Sequence, residues 1–336
     1  MRFALRHLML LGLMVLACRP AVAGTDMLTF MPENAGVVIS FDIEAMKNEP
    51  ELANTLTMFD QMIAGQLQYE NMPTLRDLRS AAMGFQLPAD GPEPNYFVAI
   101  ESAADLTHLS ELMAAGGMTP QDVMGRNYYP TEDGSAMLTF SGDMRKLLMS
   151  QTVKNLQGMM GAAQGSNSMT SGLARPEATG VASPVVYVAS RGLEVLMPEI
   201  VEQKPMLGQM LLANAQPETP AQQAAVDALA SVLPQLIEAN GYEVAIAFDA
   251  TNMNMALMIH LRDEEATSAV ASAFNTVRDS AIGESGEDAA ALQAIEAVQI
   301  TSGANTVTIS TAQPKAPLLA AVPMYAGLAA MQMMQQ

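Results

Sequence analysis

Histidine is the scarcest side chain with acid–base chemistry in this sequence, with three copies in 336 residues. His7 lies in the basic N-terminal segment, His108 lies on a predicted helix, and His260 ends a predicted strand. His108 and His260 have no further histidine at metal-ligand spacing. We therefore interpret both as unrelated structural or surface residues.

Nucleophilic catalysis has no clear sequence motif. A Ser-His-acid triad places its serine on a strained turn beside a base, and the G-x-S-x-G pattern that marks such a turn is absent. The nearest match, Gly283 to Gly286, is predicted to be a polar loop. Glycine-rich phosphate loops and calcium-loop spacing are missing too, so we expect no cofactor and no metal.

Carboxylates are numerous, and several are close together in sequence. These groups are Asp42 with Glu44, Asp263 with Glu264 and Glu265, and Glu287 with Asp288. Most stand where a predicted helix begins, and the helix dipole and the free amides of the first turn favour acids there. The pattern predicts helix caps, and a hydrolase built from dispersed carboxylates remains an alternative.

A methionine motif is the remaining candidate for chemistry. Met253, Met255 and Met258 could supply thioether ligands to Cu(I) in an exported protein. However, Met253 and Met255 alternate with apolar residues as in a core strand, and Met258 would point to the other face. With 29 methionines in the chain, such spacing also arises by chance. We interpret the motif as core packing.

The first 23 residues have the pattern of a secretory signal peptide. Arg2 and Arg6 precede an apolar stretch of about ten residues, which is too short to span a membrane. Ala21-Val22-Ala23 then provides a cleavage site, so we expect a periplasmic or secreted protein that begins near Gly24. Cys18, the single cysteine, also fits a bacterial lipobox, so a lipoprotein anchored through Cys18 is the alternative.

Charge limits the possible partners. The net charge of −19 falls to −22 without the signal segment, which carries three arginines and no acid. An acidic surface of this size repels phosphate backbones, so we expect no nucleic acid.

Two similar stretches organise the rest of the chain. Val37 to Phe41 alternates as a strand and runs into a helix that Asp42 can cap, and Ser183 to Leu196 repeats the pattern with Ser190 in place of Asp42. The later elements follow in the same order, as strand, helices, hairpin, helix, hairpin and helix. The corresponding positions are Val38 with Val186, Ile100 with His260, and Phe140 with Ile309.

This order predicts an α+β protein of two similar halves. Each half is expected to hold a mostly antiparallel sheet of about five strands, with helices packed on one face. The predicted boundaries are 24–162 for the first half, 163–183 for a Gly/Ser-rich linker or exposed excursion, and 184–336 for the second half. The first half is predicted to close on a helix from Met144 to Met160.

The apolar segment Pro317 to Met334 ends the chain without a charge. Pro323 and Gly327 interrupt it, and its length is marginal for a membrane span. The internal repeat places it where the helix Met144 to Met160 stands in the first half. We expect a packed terminal helix, with contact to a membrane or an envelope protein as the alternative.

The stretch Met31 to Asp42 resembles the opening of a group of functionally uncharacterised exported bacterial proteins. Their halves begin with P-x-[DN]-A, a short hydrophobic strand and an aspartate, here Pro32 to Ala35, Val37 to Phe41 and Asp42. The second half departs from this pattern at Ser190. The resemblance implies an exported α+β protein and brings no catalytic residues.

Taken together, these features predict a non-catalytic binding or structural module of the cell envelope. An apolar-ligand or lipid carrier with its site between the halves is an alternative, and so is the carboxylate hydrolase. The sequence identifies no catalytic, cofactor-binding or metal-ligating residue.

Overall fold

The computed structural model describes residues 25–50, 52–54, 56–57, 60, 77–86, 95–115, 117–130, 137–192, 217–286 and 288–320. The signal segment with Cys18 and the end of the chain after residue 320 lie outside them.

Twelve strands form one sheet within these residues. The strands are β1 (Val37–Asp42), β2 (Leu78–Gln86), β3 (Asn95–Ser102), β4 (Gln121–Val123), β5 (Arg126–Pro130), β6 (Met137–Phe140), β7 (Lys146–Ser150), β8 (Val186–Arg191), β9 (Gly241–Phe248), β10 (Asn252–His260), β11 (Gln299–Ser302) and β12 (Thr306–Pro314). Their order across the sheet is β11-β12-β10-β9-β8-β1-β2-β3-β7-β6-β5-β4, and all neighbours are antiparallel.

Residues 50, 52–54, 56–57 and 60 are helical, and seven further α-helices accompany the strands in the described part of the chain. They are α1 (Ile43–Met46), α2 (Thr107–Ala115), α3 (Val153–Ala163), α4 (Pro220–Ile237), α5 (Glu264–Glu284), α6 (Ala289–Glu296) and α7 (Lys315–Ala320). Short 3-10 turns lie at Thr25–Phe30, Met169–Ser171 and Pro176–Thr179. The α+β class and the antiparallel pairing are confirmed.

The sheet is continuous where the sequence predicted two separate sheets. β1 and β8 pair at its centre, with Ile39 opposite Val188. Because both strands are apolar and each lacks another neighbour on that side, pairing satisfies backbone groups that would otherwise form an exposed edge.

The two faces of the sheet follow from its register, because directly opposite residues share a face. The front face carries Val38, Phe97 and Glu243, and the back face carries Tyr242 and Ile259. The sequence alternation of Tyr242, Val244, Ile246 and Phe248 predicts a strand with these side chains on one face, and β9 confirms it.

Helices cover both faces, whereas the sequence predicted one. On the front, Leu156 and Met159 of α3 lie in the same buried cluster as Phe97. On the back, Val232 of α4 and Val270 of α5 are buried with Ile259. Spreading one sheet over twelve strands exposes two broad apolar faces, and each needs its own cover.

The predicted helix Met144 to Met160 is wrong in its first part. Lys146–Ser150 forms β7 between β3 and β6, and the helix α3 begins only at Val153, where the Thr152 hydroxyl accepts a hydrogen bond from the Asn155 amide. The apolar run from Leu147 to Met149 fits either structure, and the two available sheet partners decide it.

The predicted linker 163–183 is exposed at most of its residues, but some of its residues pack against the protein. Met169, Ala174, Thr179 and Val181 are buried, and the backbone amide of Met169 donates to the Met31 carbonyl. The segment crosses the front face of the sheet between α3 and β8.

Candidate functional site

The front face of the last four strands carries a row of small polar side chains. Gln299 lies opposite Ser310 and Thr301 lies opposite Thr308, so all four share a face, and none of their side chains makes a hydrogen bond within the described protein. Together with Asn254 and the segment 178–182 they line a concave space of about 700 Å³. We name this space the threonine cleft.

Asp249 is the single carboxylate among the described residues of the threonine cleft. Its oxygens accept hydrogen bonds from the Thr251 amide at 2.8 Å, the Asn252 amide at 2.7 Å and the Asn254 side chain at 3.1 Å. These bonds hold the pKa of Asp249 well below its usual range. Asp249 therefore stabilises the β9–β10 turn, and no second carboxylate converges on it from the described lining.

A second group of titratable side chains lies beside the cleft, inside the protein. The Tyr187 hydroxyl donates to Glu243 Oε2, and His260 Nε2 lies 2.6 Å from Glu243 Oε1. Three neighbouring strands, β8, β9 and β10, place these side chains on the front face. We name this group the Tyr-Glu-His network.

Burial separates the network from solvent almost completely. Tyr187 and Glu243 are 0% exposed, whereas the His260 side chain is 17% exposed. Burial raises the pKa of Tyr187 far above its usual range, and the Glu243 carboxylate raises it further by its charge and its hydrogen bond. Tyr187 therefore remains a protonated donor at neutral pH.

Gly241 provides the close contact that seals this region. A side chain at position 241 would meet Leu173 at 2.7 Å and the Ser190 carbonyl oxygen at 2.7 Å, so only glycine fits without displacement. Leu173 thus packs directly on β9 between Arg191 and His260, which both pair with Gly241. A substrate has no route to Glu243 through this contact, so we interpret the network as structural rather than catalytic.

The sequence-predicted histidines have different settings. His108 is exposed on α2, where its Nδ1 lies 3.7 Å from Glu111. His260 belongs to the network described above. The two remain unrelated, as predicted, but the partnership of His260 with Glu243 was missed.

The paired acids are helix caps where the structure describes them. Asp42 accepts from the Ala45 amide, Asp263 from the Ala266 amide, and Asp288 from the Ala290 and Ala291 amides. Burial raises the pKa of Asp42 and outweighs this hydrogen bond. Ser190 lies within β8, and the residues that it was expected to cap lie outside the described part of the chain.

The methionine motif is divided between the two faces of β10. Met255 lies opposite Ile246 on the back, whereas Met258 lies opposite Glu243 on the front. The three thioethers cannot converge on one ion from opposite faces. Within the described residues, His, Cys, Asp and Glu side chains form no group of three that could hold a metal.

Glu243 is the residue that the sequence interpretation overlooked. It lies on the face of β9 opposite to Tyr242 and Val244, so the alternation by itself predicts a solvated charge at this position. Its partners were not detectable, because Tyr187 and His260 lie 56 and 17 residues away in sequence.

The terminal apolar segment begins as the helix α7. Leu319 is buried, and Lys315 Nζ lies 2.8 Å from Glu49 Oε1 in the first half. Residues 321–336 lie outside the described part. Among the described helices, none has both the length and the apolar character required to cross a bilayer.

Comparisons with known proteins find only a distant structural similarity. The sequence matches no family model and shows no significant similarity to a curated protein. Its structure is similar to three crystal forms of TP0453. Form III has a TM-score of 0.43 at 10% identity, with 87% of this chain and 96% of that chain covered. Form IV has 0.43 at 9% identity, with 88% and 95% covered, and form I has 0.39 at 10% identity, with 89% and 96% covered. At these values the similarity carries no functional inference.

Proposed function

We propose that this chain is an exported cell-envelope protein that acts as a non-catalytic binding module, with the threonine cleft as its ligand site. Support for export comes from the signal pattern of residues 1–23. A soluble protein cleaved after Ala23 is the primary form, and a lipoprotein anchored through Cys18 is the alternative.

The observation that carries the binding proposal is the unused hydrogen-bonding capacity of the cleft. The side chains of Gln299, Thr301, Thr308 and Ser310 point into it and make no hydrogen bond within the described protein. Hydroxyl and amide groups can both donate and accept, so a ligand with neutral polar groups can satisfy them. Asp249 already has its partners, so the described lining offers no free charge.

This arrangement argues against the two other functions that the sequence allows. A carboxylate hydrolase needs two acids across a cleft, and Asp249 is held in a turn. A lipid carrier needs an apolar cavity between the halves. Instead, Val38, Ser40, Tyr187 and Ala189 fill the front of the β1–β8 seam and are each 0% exposed.

We also propose that the two halves share an ancestral topology. Outward from the centre, the first half runs β1-β2-β3-β7-β6 and the second runs β8-β9-β10-β12-β11. In the first half, β7 pairs with β3, and β6, which precedes β7 in sequence, lies on the outer side of β7. In the second half, β12 pairs with β10, and β11, which precedes β12 in sequence, lies on the outer side of β12. The additional β4–β5 hairpin belongs to the first half alone.

Contact with a membrane or an envelope protein through Pro317 to Met334 is a secondary proposal. Its support is the uncharged composition of that segment. The buried Leu319 favours packing for the first turns of the segment.

Nuclear magnetic resonance can test the cleft. We expect neutral oligosaccharides or neutral peptides, added to isotopically labelled protein, to shift amide signals of β11 and β12. Ser310→Trp fills the cleft and should abolish these shifts, whereas Ser272→Trp on the exposed surface of α5 should preserve them. Binding that persists in Ser310→Trp, or shifts confined to other surfaces, would refute the proposal. Mass spectrometry of the mature N-terminus separately distinguishes cleavage after Ala23 from lipidation at Cys18.

A further inference from the structure

The segment 172–182 forms a physical connection between the Tyr-Glu-His network and the threonine cleft. We name it the cover segment. Its first part packs on the network, because Leu173 contacts Gly241, and its last part, from Ala178 to Ala182, lines the cleft. The 3-10 turn Pro176–Thr179 joins the two parts and is buried at both ends.

Tyr187 links the cover segment to the buried carboxylate. Its hydroxyl donates to Glu243, and the backbone of Arg175 acts to lower the pKa of Tyr187. Leu173 packs on Gly241, which pairs with His260, so a chain of contacts runs from the network through Gly241 to the cover segment. One end of this chain is partly exposed and the other end forms a wall of the cleft.

Glu243 makes this chain sensitive to charge. A carboxylate that is 0% exposed is costly to keep ionised unless a positive group lies against it. His260 is the group at ion-pair distance, at 2.6 Å. Because the His260 side chain reaches solvent, it can exchange a proton while the rest of the network stays buried.

Other ionisable groups near the network do not replace His260. Arg191 on β8 faces the same side, but its guanidinium donates to the Glu33 carbonyl. Within the cover segment, the Arg175 side chain donates a hydrogen bond to the Gly172 carbonyl. Glu177 is negatively charged, and its charge raises the pKa of Tyr187. Protonated His260 is thus the counter-charge that the described surroundings supply to Glu243.

We propose that protonation of His260 regulates the threonine cleft by holding the cover segment closed over the network. With His260 protonated, the ion pair neutralises Glu243 and the cover segment stays packed. When His260 loses its proton, Glu243 keeps its hydrogen-bond donors but loses its counter-charge, and local opening of the cover segment admits water to it. The cleft wall then becomes mobile, so a ligand binds better on the acidic side of neutrality. The consequence for binding rests on the proposed function, whereas the opening itself does not.

Hydrogen exchange tests the opening without a ligand. Within the cover segment the amides of Leu173, Ala178 and Val181 are hydrogen-bonded, so their protection reports closure. After correction for intrinsic rates, we expect protection at about pH 5.5 to exceed that at about pH 8.5 by fivefold or more, the lower bound for a typical coupling.

Three variants make the test decisive. His260→Gln keeps a donor but removes the switchable charge, so its protection should be low and independent of pH. Glu243→Gln removes the need for a counter-charge, so its protection should be independent of pH and should equal or exceed that of the wild type at acidic pH. His108→Gln removes the exposed histidine and should retain the full pH response.

Two results would overturn the proposal. One is wild-type protection that does not change with pH, and the other is a pH response that survives in Glu243→Gln. If His260→Gln fails to fold, Glu243→Gln decides alone. Because no ligand is present, failure here leaves the binding proposal standing, and failure of ligand binding leaves this result standing.

Discussion

Two strands at the same place in the order on either side of the central β1–β8 pair have very different covers: β7, within residues 24–162 (the first half), and β12, within residues 184–336 (the second half). In the first half, the front of β7 carries Leu148, which is 1% exposed and belongs to the cluster that contains Leu156 of α3. In the second half, β12 occupies the same place in the strand order but carries Thr308 and Ser310 on the front, where they line the threonine cleft.

A second contrast concerns the strands between these two and the centre of the sheet, β2 and β3 on one side and β9 and β10 on the other. In the first half the buried Ser80 donates to Glu101 at 3.1 Å across β2 and β3. In the second half Glu243 and His260 meet across β9 and β10, which hold the same places in the strand order. In the first half a neutral serine contacts the partly exposed Glu101, whereas in the second half the carboxylate of Glu243 is fully buried. The comparison shows that one strand order can support a packed core or a polar cleft beside a buried charge.

Removal of the buried acid should give the largest effect. Glu243→Ala leaves the Tyr187 hydroxyl and His260 without their common partner, so we expect a loss of about 3–5 kcal/mol in the free energy of unfolding. Ser80→Ala, its counterpart in the first half, should lose only about 1 kcal/mol. Urea denaturation followed by circular dichroism measures both values. Equal losses of unfolding free energy in Glu243→Ala and Ser80→Ala would contradict the expected difference between the two contacts.

Truncation of the matched front-face residues should separate core from cleft. Leu148→Ala creates a cavity under α3, and we expect it to cost about 2–5 kcal/mol. Thr308→Ala removes a hydroxyl that has no partner within the described protein, so its effect should lie within about 0.5 kcal/mol of zero. Thermal unfolding of the two variants provides the comparison, and a large loss in Thr308→Ala would show that the cleft is a packed core instead.

The contact between the halves should have an intermediate effect. Lys315 at the start of α7 and Glu49 in the first half are 19% and 16% exposed, and their atoms lie 2.8 Å apart. We expect Lys315→Met to cost about 1–2 kcal/mol, because a mostly buried carboxylate loses its partner. A double-mutant cycle with Glu49→Gln isolates the pair energy, and an energy near zero would mean that α7 is held by Leu319 alone.

The smallest effects should come from the turn acids, Asp249 after β9 and Asp143 after β6. Hydrogen bonds lower the pKa of both: the Thr251 and Asn252 amides act on Asp249, and the Ser141 hydroxyl and Arg145 amide act on Asp143. Because each folded pKa is depressed, the stabilisation is present above the ordinary value near 3.8 and is lost as the pH falls through the folded pKa.

Carbon-detected titration of the carboxyl groups checks this assignment. Asp249→Asn keeps an oxygen that can accept the hydrogen bonds of the turn but removes the titrating carboxylate. Because Asp249 accepts more hydrogen bonds than Asp143, Asp249→Asn should weaken the dependence of the unfolding free energy on acidic pH more than Asp143→Asn does. Carboxyl signals that titrate near 3.8 in the folded protein would contradict both assignments.

Much of the local structure could be predicted because it depends on neighbouring residues. The alternation in Val37 to Phe41 and in Tyr242 to Phe248 predicted β1 and β9, and the caps Asp42 and Asp263 were recognisable from the helices that follow them. The Met144 to Met160 prediction failed because an apolar run can enter a helix or a sheet, and the choice depends on partners elsewhere in the chain.

The candidate site was harder to predict than the fold. The threonines and serines of β11 and β12 look like an ordinary solvated strand face, and they become a cleft only because residues 178–182 lie across from them. Glu243 occupies the position of a solvated charge in an alternating strand, and its contact with His260 depends on the register of β9 and β10.

The sequence by itself determined the acidic surface, the export pattern, the elements with strong periodicity and the caps at their ends, because each of these depends on composition or on residues within one turn. The tertiary structure alone decided that β1 and β8 join the strands on either side of them into one sheet, that Leu173 of the cover segment packs on Gly241, and that Tyr187, Glu243 and His260 meet. These outcomes depend on contacts between residues far apart in the chain, and the register that fixes them follows from satisfying strand edges and filling both faces of one sheet.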